Sequence, residues 1–310
     1  MTNPNTAIIN VDADILDRIE IMRAQEEATS PCYNYFQRST TSIDGECRKP
    51  MTAWLQEMQR KLNLSPETAW IAASFLDRYA SSGKGRSQEA LEDKHKYQLA
   101  TISAFYTAIK IYERAELTVH KFAKYCQGYY EVEEITSMEE DILFALDWRV
   151  ACPTPMDFVR HFIDLLPPEK MTSSISESLL EASQKHVDYT VTDIYFAFFK
   201  PSAIGAACLA CSLLAQADIL SSSERKAFWL QLAKNTVLTD VMDAQNKLLR
   251  GHPLRKPKTA SQVTESSATT SKEFLATKAR KKASGEKLSS SPVSVSQSCP
   301  TSRCHALRDC

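Results

Sequence analysis

Two stretches, "YQLATISAFYTAIKIY" at 97–112 and "KPSAIGAACLACSLL" at 200–214, constrain the fold of this chain more than any other feature. In the first, Ala100, Ser103, Ala104, Thr107 and Ala108 are small residues at helical spacing, which let neighbouring helices approach closely. The second is richer still in small residues and carries Pro201 at its start, where a helix tolerates proline. Each therefore reads as the central helix of its own domain. Glycine supports a helical plan: 7 of 310 residues, against an average of about 7%, leaves few sharp turns or sheet bulges.

The other helices can be read around these centres. In "DADILDRIEIMRAQEEA", Ile15, Leu16, Ile19 and Met22 share one face, with Asp12 or Asp14 as N-cap. This lone amphipathic helix needs something to pack on. Next, Pro50 suits the first turn of a helix in which Met51, Trp54, Leu55, Met58 and Leu62 form one apolar stripe. Leu64-Ser65-Pro66-Glu67 then reads as a new start, with cap, proline and first-turn acid, for a helix running to about Tyr79. Helices over 97–112, 118–127 and 132–147 follow. Pro153 and Pro155 break the pattern and mark a linker near 148–154. Beyond it, helices over 155–166 and 175–190 precede the second central one, so two tandem helical domains of like plan are expected. From about residue 253 the chain turns Ser/Thr-rich with few large apolar residues, and no fold is expected there.

Motifs for chemistry are absent. There is no glycine-rich phosphate loop, HExxH, G-x-S-x-G or paired CxxC. The one CxxC, Cys208 to Cys211, sits in an alanine-rich apolar segment without the roughly four ligands a metal needs. The six histidines show no ligand spacing. Glu139, Glu140 and Asp141 are consecutive, so on a helix they face different ways and form no acid/base pair. No catalytic residue, metal or cofactor is expected. No apolar run reaches the roughly 18 residues that span a bilayer, and the N-terminus lacks a basic start followed by an apolar core, so a soluble intracellular protein is expected. Nine scattered cysteines, Cys126, Cys152, Cys208 and Cys211 among them, fit reduced core thiols. Charge is unevenly spread: residues 251–310 hold 11 Lys/Arg against 4 Asp/Glu, leaving +7 there and −8 on the rest.

Several segments occur together in a telling order: "RKPMTAW" at 48–54, "LDRYAS" at 76–81, "YQL" at 97–99 leading to "AIKIYE" at 108–113, "SMEEDILFALDW" at 137–148 and "PTPMDFVRHF" at 153–162. In this order the chain resembles the cyclin family over about residues 11–250. The detail is most similar to D-type, G1-phase cyclins, through "RIEIMRAQEEATSPCYNYF", the "RK" before the box and "TPMDF"; the Leu-x-Cys-x-Glu motif of that branch is missing, and a lineage-specific cyclin of a single-celled eukaryote is the alternative. The resemblance implies an all-α fold of two tandem five-helix cyclin-like domains preceded by an N-terminal helix. Residues 1–45 would be the N-terminal segment, 46–150 the first box, 151–252 the second domain and 253–310 a disordered basic tail.

It also implies a function: binding and activating a cyclin-dependent protein kinase, in cell-cycle progression at G1/S, without being an enzyme itself. A lysine and a glutamate of the family bind backbone groups around the kinase's mobile C helix, and the matching positions are Lys110 and Glu139, with Ile111 and Leu143 as apolar neighbours. A first-helix patch that docks Arg-x-Leu segments of substrates or inhibitors is matched by Met51, Trp54, Glu57 and Gln98, an apolar groove with an acid for the arginine. Arg48 is assigned to bonding within the domain. Two other readings compete: a cyclin-fold transcription or nucleic-acid-associated factor, and a nutrient-sensing cyclin. The acidic body opposes direct nucleic-acid binding, and no membrane partner is expected. Tail clusters Arg255-Lys256-Lys258 and Lys278-Arg280-Lys281-Lys282 would serve nuclear import, with a cytoplasmic pool, and Ser291-Pro292 would be a proline-directed phosphorylation site.

Overall fold

The computed structural model describes residues 13–29, 35–37, 42–114, 117–216 and 218–251; among them the regular structure is helical, without a strand. The elements are α1 (Ala13–Thr29), α2 (Gly45–Lys61), α3 (Pro66–Ser82), α4 (Ser87–Glu92), α5 (Lys94–Tyr112), α6 (Val119–Tyr125), α7 (Val132–Ala145), α8 (Pro155–Ile163), α9 (Ser173–Thr192), α10 (Pro201–Ala215), α11 (Ser222–Asn235) and α12 (Leu238–Gly251), with three short 3-10 turns. Helices α2, α3, α5, α6 and α7 make the first five-helix unit, with the six-residue α4 inserted. Helices α8 to α12 make the second. Residues 253–310, with the basic clusters and Ser291-Pro292, lie outside the described residues.

Local chemistry sets most helix starts. Ser65 accepts the Glu67 amide ahead of Pro66, and α3 ends at Gly83 in the left-handed conformation. Thr154 and Asp157 form a reciprocal capping box ahead of α8, and Ser221 and Glu224 do the same for α11. One expected start is corrected. Helix α2 begins at Gly45, not at Pro50, because Asp44 accepts the Cys47 amide at 2.9 Å and captures the helix one and a half turns earlier. Pro50 thus lies inside the helix.

Glycine scarcity has a visible consequence. Helices α2, α6 and α7 all end in paired carbonyl-closing bonds, Leu64 N–H to Gln59 O, Gly128 N–H to Ala123 O and Trp148 N–H to Leu143 O, each 3.0 Å. The left-handed residue these endings demand is Asn63, Gln127 and Asp147, at φ of 52°, 59° and 51°. Side chains here oppose the backbone by about 1 kcal/mol or more per residue.

The small-residue helices are central, as their composition predicts. α5 packs on α2, α3, α4 and α7, and α10 on α8, α9 and α12. Gly205 makes the α8–α10 crossing close: a Cβ there would lie 2.5 Å from the Pro155 carbonyl. Phe75, Phe105, Phe122 and Ile142 fill the first core, each burial contributing about 1.5–3 kcal/mol. The second core holds Phe158, Phe162, Leu209, Phe228 and Leu248, together with Ile19 of α1. The amphipathic helix α1 thus finds its support on α8 and α10, at the far end of the sequence.

Buried polar groups join the halves. Arg48 donates Nε to Asp77 Oδ1 at 2.8 Å and Nη2 to Oδ2 at 2.7 Å, and its Nη1 reaches across to the Val191 carbonyl at 2.9 Å. Tyr35 adds its hydroxyl to Asp77 Oδ1 at 2.7 Å. Burial alone would lower the Arg48 pKa; the Asp77 charge and hydrogen bonds reverse this and raise it above the usual guanidinium range. Gln56 donates to the Asp188 carbonyl, and Glu67 accepts from Arg160 and Thr154 at the start of α8. Arg48 has the structural role expected of it, but it bonds beyond its own domain as well as within it.

Candidate functional site

Helices α5 and α7 run parallel, and a ladder of bonds fixes their register. Tyr130 donates its hydroxyl to the His95 carbonyl, Ser103 to Ile135 O, and Tyr112 to Val150 O at 2.8 Å. Near the C-terminal end of this pair, Lys110 Nζ contacts both Glu139 oxygens, at 3.0 Å to Oε1 and 3.1 Å to Oε2. The structure therefore brings together two residues that lie 29 positions apart. The lysine side chain is 48% exposed and lies 5.4 Å from the Tyr106 ring centroid; the glutamate is 9% exposed. Burial raises the Tyr106 hydroxyl pKa, and Lys110 pulls against it.

The pair is lopsided: Lys110 is half-exposed and can turn to solvent, whereas the buried Glu139 carboxylate needs another donor in its place. A partner that supplies such a donor can replace the lysine, leaving the cation free to bind peptide carbonyls. Apolar side chains follow on the same two helices. Ile111 is 43% exposed, Tyr112 is exposed beside it, and Leu143 is half-buried one turn beyond Glu139. Helix α7 then ends in the left-handed pair Asp147 and Trp148, φ 51° and 60°, which holds the Trp148 ring outward at 70% exposure. Lys84 braces this turn by bonding both Asp147 oxygens, at 2.6 and 2.7 Å. The Tyr112 hydroxyl anchors Val150, and burial, followed by Cys152, pushes its pKa up to about 12. Trp148, Tyr112 and Phe144 are exposed at places that the sequence reads as helix and linker. No sequence signal marks Trp148, because its exposure depends on a left-handed turn that no glycine announces.

The second expected site is not open. Met51 and Trp54 are 4% and 3% exposed, and Trp54 packs edge-on against Phe105 of the core, with ring centroids 5.8 Å apart. Gln98 is buried too, its Oε1 accepting the Tyr130 hydroxyl at 3.0 Å. Glu57 is half-exposed and pairs with Lys61 at 2.9 Å. The stripe of α2 that periodicity selects is thus a core face and not a groove, because it is the side of α2 that lies against α5. The outer edge carries Cys47 and Pro50, both half-exposed.

Cys126, Cys152, Cys208 and Cys211 are free and buried, and burial raises the thiol pKa of each, to about 12 for Cys126 and Cys211. Among the described residues no group of three or more His, Cys, Asp or Glu is placed to hold a metal, and no helix is long and apolar enough to cross a membrane.

Comparison with known proteins gives consistent matches. The family model "Cyclin, N-terminal domain" matches residues 17–151, and "Cyclin, C-terminal domain" matches 153–284. G1/S-specific cyclin-D1 of Xenopus laevis is 28% identical over 221 residues, covering 70% of this chain and 72% of that protein. G1/S-specific cyclin-D1 of Homo sapiens is 27% identical over 197 residues, and the match spans 63% of each chain. A viral cyclin from herpesvirus saimiri shares the fold at a TM-score of 0.60 and 18% identity, covering 74% of this chain and 94% of that one.

Proposed function

Because the chain belongs to the cyclin family, we propose that it is the regulatory subunit of a cyclin-dependent Ser/Thr protein kinase and acts in cell-cycle progression at the G1/S step. The observation that carries this reading is the Lys110–Glu139 pair joining α5 and α7, with the exposed Ile111 and Tyr112 following the lysine and Leu143 one turn beyond the glutamate. On binding, the lysine and glutamate exchange each other for backbone groups at the ends of the kinase C helix, as charge-assisted hydrogen bonds. The apolar residues exclude water from these bonds. Holding the C helix completes the kinase's own Lys–Glu pair, so the cyclin shifts an equilibrium in its partner and carries out no chemistry itself. The similarity to G1/S-specific cyclins supports the G1/S assignment.

The test is reconstitution with candidate cyclin-dependent kinases, reading binding and phosphorylation of histone or a pocket protein. Wild type should bind and activate one of them, and Lys110→Ala/Glu139→Ala should lose both while melting as wild type does. Absence of binding to any such kinase at micromolar concentration sinks the reading. Docking of Arg-x-Leu segments falls to Glu57 and the Cys47–Pro50 edge, and a nuclear location to the basic tail clusters; an import assay with both clusters changed to alanine tests the latter.

A further inference from the structure

The second domain depends on a residue outside it. Helix α10 begins without a cap of its own: Lys200 occupies the N-cap position and gives no side-chain hydrogen bond, and Pro201 has no N–H. The first amide available is that of Ser202. Its partner is Glu26 of α1, which accepts the Ser202 N–H on Oε2 at 2.8 Å and the Ser202 hydroxyl on Oε1 at 2.6 Å. Glu26 is 2% exposed. Burial lifts its pKa above the usual carboxylate range, against the pull of the Ser202 bonds and of Lys200 and Arg23. A buried carboxylate placed at a helix N-terminus answers both the free amide and the positive end of the helix dipole.

We propose that α1 is a strap that caps the central helix of the second domain from outside that domain, so that its docking is coupled to the first turn of α10. The strap is fastened at both halves. Ile15, Leu16, Ile19 and Met22 lie on the second core, and Glu27 pairs with Lys200. On the other side Arg149 donates Nη1 to the Ala28 carbonyl at 3.4 Å, and Arg149 directly follows Trp148 in the left-handed turn. Whatever grips that turn acts next to the bond that holds the end of the strap. Glu26 is the buried polar side chain of α1, while Ile21 and most of its other polar side chains face solvent.

Amide hydrogen exchange on the full chain tests this, read at residues 202–206 and 13–29. Loss of a cap speeds exchange in the first turn by roughly 2- to 30-fold. Glu26→Ala should do so at 202–206, and Glu26→Gln, which keeps an acceptor and removes the buried charge, should give a smaller increase in the same residues. Glu27→Ala, which removes the exposed ion pair only, should leave 202–206 within about twofold of wild type. If Glu26→Ala does not fold, Glu26→Gln decides. Protection at 202–206 unchanged in the folded Glu26 variants, or lost equally in Glu27→Ala, overturns the proposal.

Discussion

Replacing Arg48 by alanine perturbs the joint between the two halves at its most buried point. Three donated bonds disappear, two to Asp77 and one to the Val191 carbonyl. Asp77 is left in the interior with the Tyr35 hydroxyl donating to it at 2.7 Å. Removing one partner of such a pair costs about 3–5 kcal/mol, since the other charge stays behind without compensation. At an m-value of about 3 kcal/mol/M, the urea midpoint should fall by about 1–1.7 M. Removing both charges is a different experiment. The Val191 carbonyl loses its donor in both variants; in Arg48→Met/Asp77→Leu no ion remains buried, so an unpaired Tyr35 hydroxyl, about 1–3 kcal/mol, replaces the stranded Asp77 charge, about 3–5 kcal/mol. The double variant should therefore be more stable than Arg48→Ala. Circular dichroism through urea titrations gives all the values. A loss below about 1 kcal/mol for Arg48→Ala, or a double variant less stable than the single, refutes the reasoning.

Three shorter predictions concern other regions. Trp148→Ala should weaken kinase binding by about 2 kcal/mol without lowering the melting temperature, since the ring is 70% exposed; titration calorimetry and a thermal melt separate the two effects. Gln127→Gly should stabilise the chain by about 1 kcal/mol, because it removes the strain of φ 59° at the end of α6, and a lowered urea midpoint would contradict that. Glu224 has its pKa lowered to about 2 by the hydrogen bond from Lys170, then by those from Ser221. A lowered carboxylate pKa stabilises the fold above the unfolded value of about 4.5, and this is lost as the pH falls towards about 2. The Glu224 carboxyl carbon should titrate near about 2 and move upward in Lys170→Met; an unmoved midpoint would reject the pair as the cause.

What could be read from the residues alone was what is local. Ser65-Pro66-Glu67 and Thr154-Pro155-x-Asp157 announce α3 and α8 because donor and acceptor lie within one turn. The start of α2 was misplaced, since Pro50 also suits a first turn and the competing Asp44 cap lay outside the stripe being read. The six-residue α4 was missed: Arg86 gives it no side-chain cap, and the Arg86 amide instead finds Asp141 at 2.9 Å, 55 residues away. Lys110 and Glu139 were reached through family resemblance, and their pairing depends on the α5–α7 register. Met51 and Trp54 show the limit from the other side. Periodicity identifies which residues share a face and leaves open whether that face meets solvent or another helix.

Beside the Glu67 bonds, the joint between the halves holds four side chains that address main-chain oxygens: Arg48 to Val191, Gln56 to Asp188, and, into the linker, Arg78 to Arg149 and Tyr112 to Val150. A peptide carbonyl is present whatever residue bears it. Evolution can therefore rewrite the receiving segments freely at these four points, provided their backbone path is kept, while the donors are held to their identities. Sequence drift at these points should be lopsided, slow at the givers and fast at the takers, whereas Glu67 and Arg160, which meet through their side chains, must change together.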